Sequence, residues 1–299
     1  MNKRSVLFIA WLLLAVGIVS AAAQAPAEQK KLNILVIGAH PDDPEKAGGT
    51  MAKYIMMGHK VRLLSMTNGD AGHFRMGGGI LAVRRLKEAQ CAGKVIGAEY
   101  IVLDNHDGEL LPTLENRREV IRQIREFQAD IVFTPRPDDY HPDHRNTALL
   151  VRDAAYMVTV PNVVAHVPHL KKNPVFMYLQ DDFTRPTPFR ADILVDIEEV
   201  VEKKIDMYHC HESQMYEWLP YNSGNLEKVP EGNDARRAWL AEQQKNRYRR
   251  LADKFRPRLV EIYGQAKGSK INAVEAFEVS EYGAQVNDKN RKSLFPFLP

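Results

Sequence analysis

The chain has 299 residues, 44% of them hydrophobic, with 41 basic against 38 acidic side chains, a net charge of +3. That balance excludes a disordered chain and argues against nucleic acid as a partner, because the basic residues are spread out apart from a run near Arg236 to Arg258. Two cysteines, Cys91 and Cys210, are too few for a disulfide framework. Their apolar helical neighbourhoods suggest two buried free thiols.

Lys3 and Arg4 precede an apolar run from Val6 to Val19, about 14 residues against the roughly 20 that a permanent membrane anchor needs. With Ala21-Ala22-Ala23 as a cleavage site, residues 1–23 are expected to be a signal peptide. This implies an exported protein, periplasmic or secreted, without a stable membrane anchor. A linker is expected over 24–31, one domain over 32–285 and a tail over 286–299.

In chain order, Asn33 to Gly38 is almost wholly apolar, as a strand buried on both faces should be. A helix is expected from Ala47 to Met57, stopped by Gly58, then a strand from Lys60 to Thr67. A helix from Leu81 to Ile96 ends at Gly97. Tyr100 to Leu103 reads as a strand, Leu114 to Phe127 as an amphipathic helix, Asp130 to Thr134 as a strand, and Arg145 to Val158 as a helix. Further strands are expected near Val175 to Leu179 and Ile193 to Val195, with a helix from Glu198 to about His211. A loop from Pro220 to Asn233 precedes a long charged helix, Ala235 to Phe255. The alternation predicts an α/β fold, a Rossmann-like doubly wound, mostly parallel sheet with helices on both faces and extra C-terminal elements.

Such sheets bind ligands beyond the carboxyl ends of their strands. Two polar clusters follow directly on predicted strands there: His40-Pro41-Asp42-Asp43, and Asp138-Asp139-Tyr140-His141-Pro142-Asp143-His144. Alone, Asp42 or Asp43 could simply cap the next helix. Two His-Pro-Asp segments at the same edge are better explained by one metal site. Imidazoles with a carboxylate suit zinc, with Fe2+ or Co2+ as substitutes, and the lack of a carboxylate cage argues against calcium or magnesium. Three protein ligands would leave a position open for water, whose pKa such metals lower to about 7. No Gly-rich phosphate loop follows the first strand, which disfavours a nucleotide-dependent transferase.

Ala39 to Asp43 and His141 to His144 make the chain resemble the PIG-L or LmbE-like deacetylases, whose signatures are Ala-His-Pro-Asp-Asp after the first strand and a later His-Pro-Asp-His. Thr67-Asn68-Gly69-Asp70, Arg85 with Glu88, Asp107-Gly108, His211-Glu212-Ser213-Gln214 and Glu275-Ala276-Phe277-Glu278 agree with the family pattern. The resemblance implies His40, Asp43 and His144 as metal ligands and Asp42 as general base. It further implies His141 as oxyanion stabiliser if cationic, and Asp143 as its orienting partner. Arg85, Asp107 and Tyr140 are expected at the substrate, although Arg85 could equally pair with Glu88 one helical turn on. The implied reaction is removal of an N-acetyl group from an amino sugar. The implied partners are a small molecule or glycan bearing that group, and further copies of the chain as a trimer or hexamer. An amidase acting on a larger amide or thiol conjugate, and a metal-stabilised sugar-binding protein without turnover, are the alternatives. The glycine-rich stretch Ala71 to Gly79, with His73, suggests a flap. Tyr140, Trp218 and Tyr221 offer faces for stacking on a sugar. His209 and His211 suggest contacts with free carbonyls at a helix end.

Overall fold

A computed structural model describes residues 30–299; the expected signal peptide and nearly all of the linker lie outside the described residues. The strands are β1 (Asn33–Gly38), β2 (Lys60–Thr67), β3 (Glu99–Asn105), β4 (Ile131–Thr134), β5 (Val175–Leu179), β6 (Ile193–Asp196) and β7 (Val274–Gly283). The helices are α1 (Gly48–Met56), α2 (Gly78–Ile96), α3 (Leu114–Glu126), α4 (Pro142–Met157), α5 (Val201–Cys210), α6 (Leu219–Asn222), α7 (Asn233–Lys254), α8 (Arg256–Tyr263), α9 (Gln265–Gly268) and α10 (Arg291–Leu294). The seven strands form one sheet in the order β3-β2-β1-β4-β5-β7-β6.

Successive residues of β1 point to opposite faces of the sheet, and both faces are covered. Ile34 and Val36 pack with Leu63, Phe133, Met51 and Met207 under α1, α2 and α5. Leu35 and Ile37 pack with Leu64, Val132, Ile124 and Leu150 under α3 and α4. This is why the strand's sequence is apolar throughout rather than alternating. The strands β3, β2, β1, β4 and β5 run parallel. Chain connections leave β1 toward β2 on one side, while β4 lies on the other, so the strand order reverses beside β1.

Three departures from the expected layout have local causes. First, β7 is inserted antiparallel between β5 and β6. Its buried Glu275 breaks the apolar pattern and is satisfied by Lys204 and by the backbone amides of Gly49 and Thr50. Second, α4 starts at Pro142, not Arg145, because His141 is its N-cap and Pro142 fits the first helical position. Third, the segment set apart as a tail buries Phe295 and Leu298 in the main core.

The thiols are also not free. Cys91 and Cys210 form a disulfide, with Cα atoms 5.7 Å apart and a sequence separation of 119. The Cα distance lies within the bridging range. It arises because α2 and α5 pack side by side, and neither cysteine is buried.

Candidate metal centre and active site

The turn after β1 is held from two directions. The Ala39 carbonyl accepts hydrogen bonds from the Thr67 amide, the Thr67 hydroxyl and the Ser65 hydroxyl, which pins the turn to the end of β2. Asp43 occupies the N-cap position of a single 3-10 turn (Pro44–Ala47), yet its side chain does not cap it. Instead Asp43 Oδ2 folds back and accepts from the amides of Ala39, at 3.1 Å, and His40, at 2.9 Å. The fold-back needs Gly38: a Cβ there would lie 2.6 Å from Asp43 Cβ and 2.7 Å from Pro44 Cδ.

The first turn of α4 carries the second cluster to the same place. His144 Nε2 lies 3.2 Å from Asp43 Oδ2 and 3.3 Å from His40 Nδ1, and His40 Nδ1 lies 3.3 Å from Asp43 Oδ2. Three potential ligand atoms therefore form a nearly equilateral triangle. A tetrahedral ion with bonds of about 2.0–2.1 Å requires ligand separations of about 3.3–3.4 Å. The donor set of two imidazoles and one carboxylate fits a divalent metal of the zinc type.

The remaining imidazole nitrogens are backed by carboxylates, the arrangement that orients metal-binding histidines. His40 Nε2 lies 3.0 Å from Asp107 Oδ1 and 3.3 Å from Asp143 Oδ2. His144 Nδ1 is 3.0 Å from Asp139 Oδ1, a charge contact poorly angled for a hydrogen bond. His40, Asp107 and Asp143 also form a group close enough to hold an ion, as do His40, His141 and His144. Asp143, however, is 0% exposed and absent from the cavity wall, which suits it to support His40 rather than to face an open coordination position. This corrects the expected role of Asp143: its carboxylate serves His40 and the amides of Gly108 and Leu110, not His141. Two residues apart at a helix start, the two side chains diverge.

His141 Nδ1 accepts the Asp143 amide at 3.2 Å. A nitrogen that accepts cannot carry the proton, so in the neutral ring the proton is on Nε2. Burial, joined by the charges of His40 and His144, lowers the His141 pKa. Burial also acts to lower His40 and His144, but is outweighed. His40 is raised well above its usual value by Asp107, Asp143 and Asp43. His144 is raised to about 9 by Asp43 and Asp139. Burial raises Asp43, yet His144 and Lys46 hold its carboxyl well below the usual range. The field that retains protons on these imidazoles is one that would favour a cation in their place.

Arg85, 1% exposed, donates from Nη2 to Asp42 Oδ1 at 2.6 Å. It makes no pair with Glu88, which instead accepts from Ser213 and faces Arg84. Asp42 Oδ2 has no hydrogen bond among the described residues. A cavity of about 520 Å³ is lined by His40, Asp42, Asp43, Arg85, Asp107, Tyr140, His141 and His144, and by Trp218. Arg85 and Asp107, expected at the substrate, line it while engaged with Asp42 and His40. Tyr140 is 73% exposed.

The glycine-rich stretch after β2 is tied down by His73 to Glu217, at 2.7 Å, and by Gln214 to the Gly72 carbonyl. Tyr221 stacks on Phe74. His209 meets the Tyr216 hydroxyl, and buried His211 pairs with Glu45, so neither serves a free carbonyl. Asp139 and Glu45 received no role from sequence. Asp139 had a usable signal, its place inside the second acidic cluster; Glu45 had none.

Residues 35–155 match the model of the PIG-L family, described as GlcNAc-PI de-N-acetylase. Over 206 residues the chain is 34% identical to a diacetylchitobiose deacetylase of Thermococcus kodakarensis, an alignment spanning 63% of this chain and 74% of that one. The chain belongs to the PIG-L family. Among solved structures, the N,N'-diacetylchitobiose deacetylase of Pyrococcus horikoshii has a TM-score of 0.63 and 23% identity over 83% of each chain. GalB, the 4-carboxy-2-hydroxymuconate hydratase of Pseudomonas putida KT2440, also has a TM-score of 0.63, at 18% identity over 86% of this chain and 99% of that one. The PIG-L assignment, the α/β fold and the deacetylase class expected from the two motifs are thereby borne out. A hydratase on the same fold shows why the chemistry must be argued from the site.

Proposed function

We propose that this PIG-L chain hydrolyses the N-acetyl amide of an amino sugar, using a divalent metal, zinc in the first instance, held by His40, Asp43 and His144. The observation that carries this reading is the triangle of Nδ1, Oδ2 and Nε2 atoms at 3.2–3.3 Å. The family relation to a diacetylchitobiose deacetylase supports the substrate class. When bound, the metal supplies Lewis acidity, polarising the amide carbonyl and acidifying water.

The chain's own residues supply the proton transfers. Asp42 Oδ2 is the base: its partner oxygen is fixed by Arg85, so the carboxylate is held in one orientation as it takes a proton from the attacking water. His141 Nε2–H donates to the amide oxygen as negative charge grows there. The proton on Asp42 then passes to the departing amine. Asp107 and Asp143 hold His40, and Asp139 holds His144.

We further propose that the chain works outside the reducing cytoplasm. The basic and apolar N-terminus supports this reading, as does the Cys91–Cys210 bridge, since disulfides persist in oxidising compartments.

The test is acetate release by zinc-loaded protein from a panel of N-acetylated sugars and amides, with Asp42→Ala as the blank. Release from amino sugars that vanishes in the variant supports the reading. Stoichiometric zinc without acetate from any member overturns it in favour of a larger acyl group or of binding alone.

A further inference from the structure

A second cavity, also of about 520 Å³, adjoins the first, and the two share Lys46, Tyr208, Gln244 and Arg247 as walls. It runs along α7 between α5 and β7, and its lining is strongly unbalanced in charge. Five cationic side chains, Lys46, Lys204, Arg247, Arg250 and Lys254, face two carboxylates, Asp182 and Glu275. Both carboxylates are already engaged: Glu275 with Lys204 at 2.5 Å, and Asp182 with Lys254 at 3.0 Å. Lys46 sits 3.4 Å from Asp43 Oδ1. Arg247 and Arg250 form no ion pair among the described residues.

Three residues apart on one helix, these two guanidiniums share a face. They give the cavity an excess of planar donors suited to the paired oxygens of a carboxylate or a phosphate. Because Arg247 belongs to both walls, an anion bound here would be continuous with a group lying at the His40–Asp43–His144 triangle. A free anion would need no such continuity.

We propose that the second cavity is a subsite for an anionic substituent of the substrate, bound by Arg247 and Arg250, so that the preferred substrate is an acidic N-acetylated sugar and not a neutral one. The proposal rests on the deacetylase reading above and narrows its substrate class.

The experiment compares N-acetylglucosamine, N-acetylglucosamine 6-phosphate and the carboxylate-bearing N-acetylmuramic acid as substrates of zinc-loaded protein, wild type and Arg247→Gln/Arg250→Gln. Calorimetric binding of the same three compounds to zinc-loaded Asp42→Asn runs in parallel, with and without the arginine substitutions. Expected is a kcat/KM for one or both acidic sugars at least about tenfold above the neutral one, the order of one or two charge-assisted hydrogen bonds. That ratio should collapse in the double variant and shrink in 0.5 M salt. The phosphate and carboxylate arms identify which anion the cavity takes. Equal use and equal binding of neutral and acidic sugars, or a preference untouched by the arginine changes, overturns the proposal. Acetate from neutral sugars without anion preference sinks this inference and leaves the deacetylase reading standing. Arginine-dependent binding of the acidic sugar without acetate from any compound does the reverse.

Discussion

Asp42 Oδ1 accepts a 2.6 Å hydrogen bond from Arg85 Nη2, while its neighbour in sequence, Asp43, turns its carboxylate toward two imidazoles and two backbone amides. Adjacent carboxylates thus have separate tasks. Asp42→Asn is expected to keep zinc near one equivalent and to lower kcat by about 10²–10⁴, the usual worth of a general base. His144→Ala should lose the metal. Metal content by mass spectrometry beside acetate release separates the two, and equal metal loss in both variants would refute the assignment.

Asp143 and Asp107 both approach His40 Nε2. Removing the charge of either should weaken zinc binding by about 10–100-fold, as supporting carboxylates generally do. Because both carboxylates serve one nitrogen, the effects of Asp107→Asn and Asp143→Asn should not add. A double-mutant cycle on zinc affinity reads the coupling; strict additivity would mean that the two carboxylates act independently and not through one shared nitrogen.

Gly38→Ala tests the turn while every ligand residue is kept. The new methyl would need the space of Asp43 Cβ and Pro44, so Asp43 must shift. Overpacking of this kind costs about 1–3 kcal/mol. Lower urea stability and weaker zinc binding together are the expected outcome; unchanged zinc affinity would show that the fold-back tolerates movement.

The pH dependence follows from His144, raised to about 9 in the metal-free protein, against about 6.5 for an unperturbed imidazole. A raised folded-state pKa makes the proton stabilising. Its contribution is complete below about pH 6.5 and is lost as the pH climbs through about 9. Chelator-treated protein should therefore lose stability across that window. Zinc competes with the same proton, so apparent zinc affinity should rise over it, by up to about tenfold per pH unit for each proton displaced. Urea melts and competitive zinc titrations at several pH values measure the opposing trends. A zinc affinity that stayed flat would remove His144 from the ligand set.

Much of this was legible without coordinates because strand burial and strand ends are local properties. The apolar run of β1, its abrupt stop at Gly38 and the acidic turns after β1 and β4 locate the site at the sheet edge. What sequence could not supply was pairing across the fold. Asp143 stands two residues from His141 yet serves His40, which is 103 residues away. Cys91 and Cys210 meet only because α2 and α5 pack together. The antiparallel β7 was hidden because buried Glu275, neutralised by Lys204, makes a core strand look like a polar segment.

The disulfide also bears on how the walls of the pocket are held together. On one side of it, α2 carries Arg85, the partner of Asp42, and Glu88. On the other, α5 leads into the turn that holds Gln214 and Trp218 against the cavity. In the reduced chain these two walls are joined by packing, by the Ser213–Glu88 hydrogen bonds and by the two-pronged pair of Arg84 with Glu217. The bridge makes that join covalent, so the wall that carries Arg85 and the wall that carries Gln214 and Trp218 cannot part from one another while it stands.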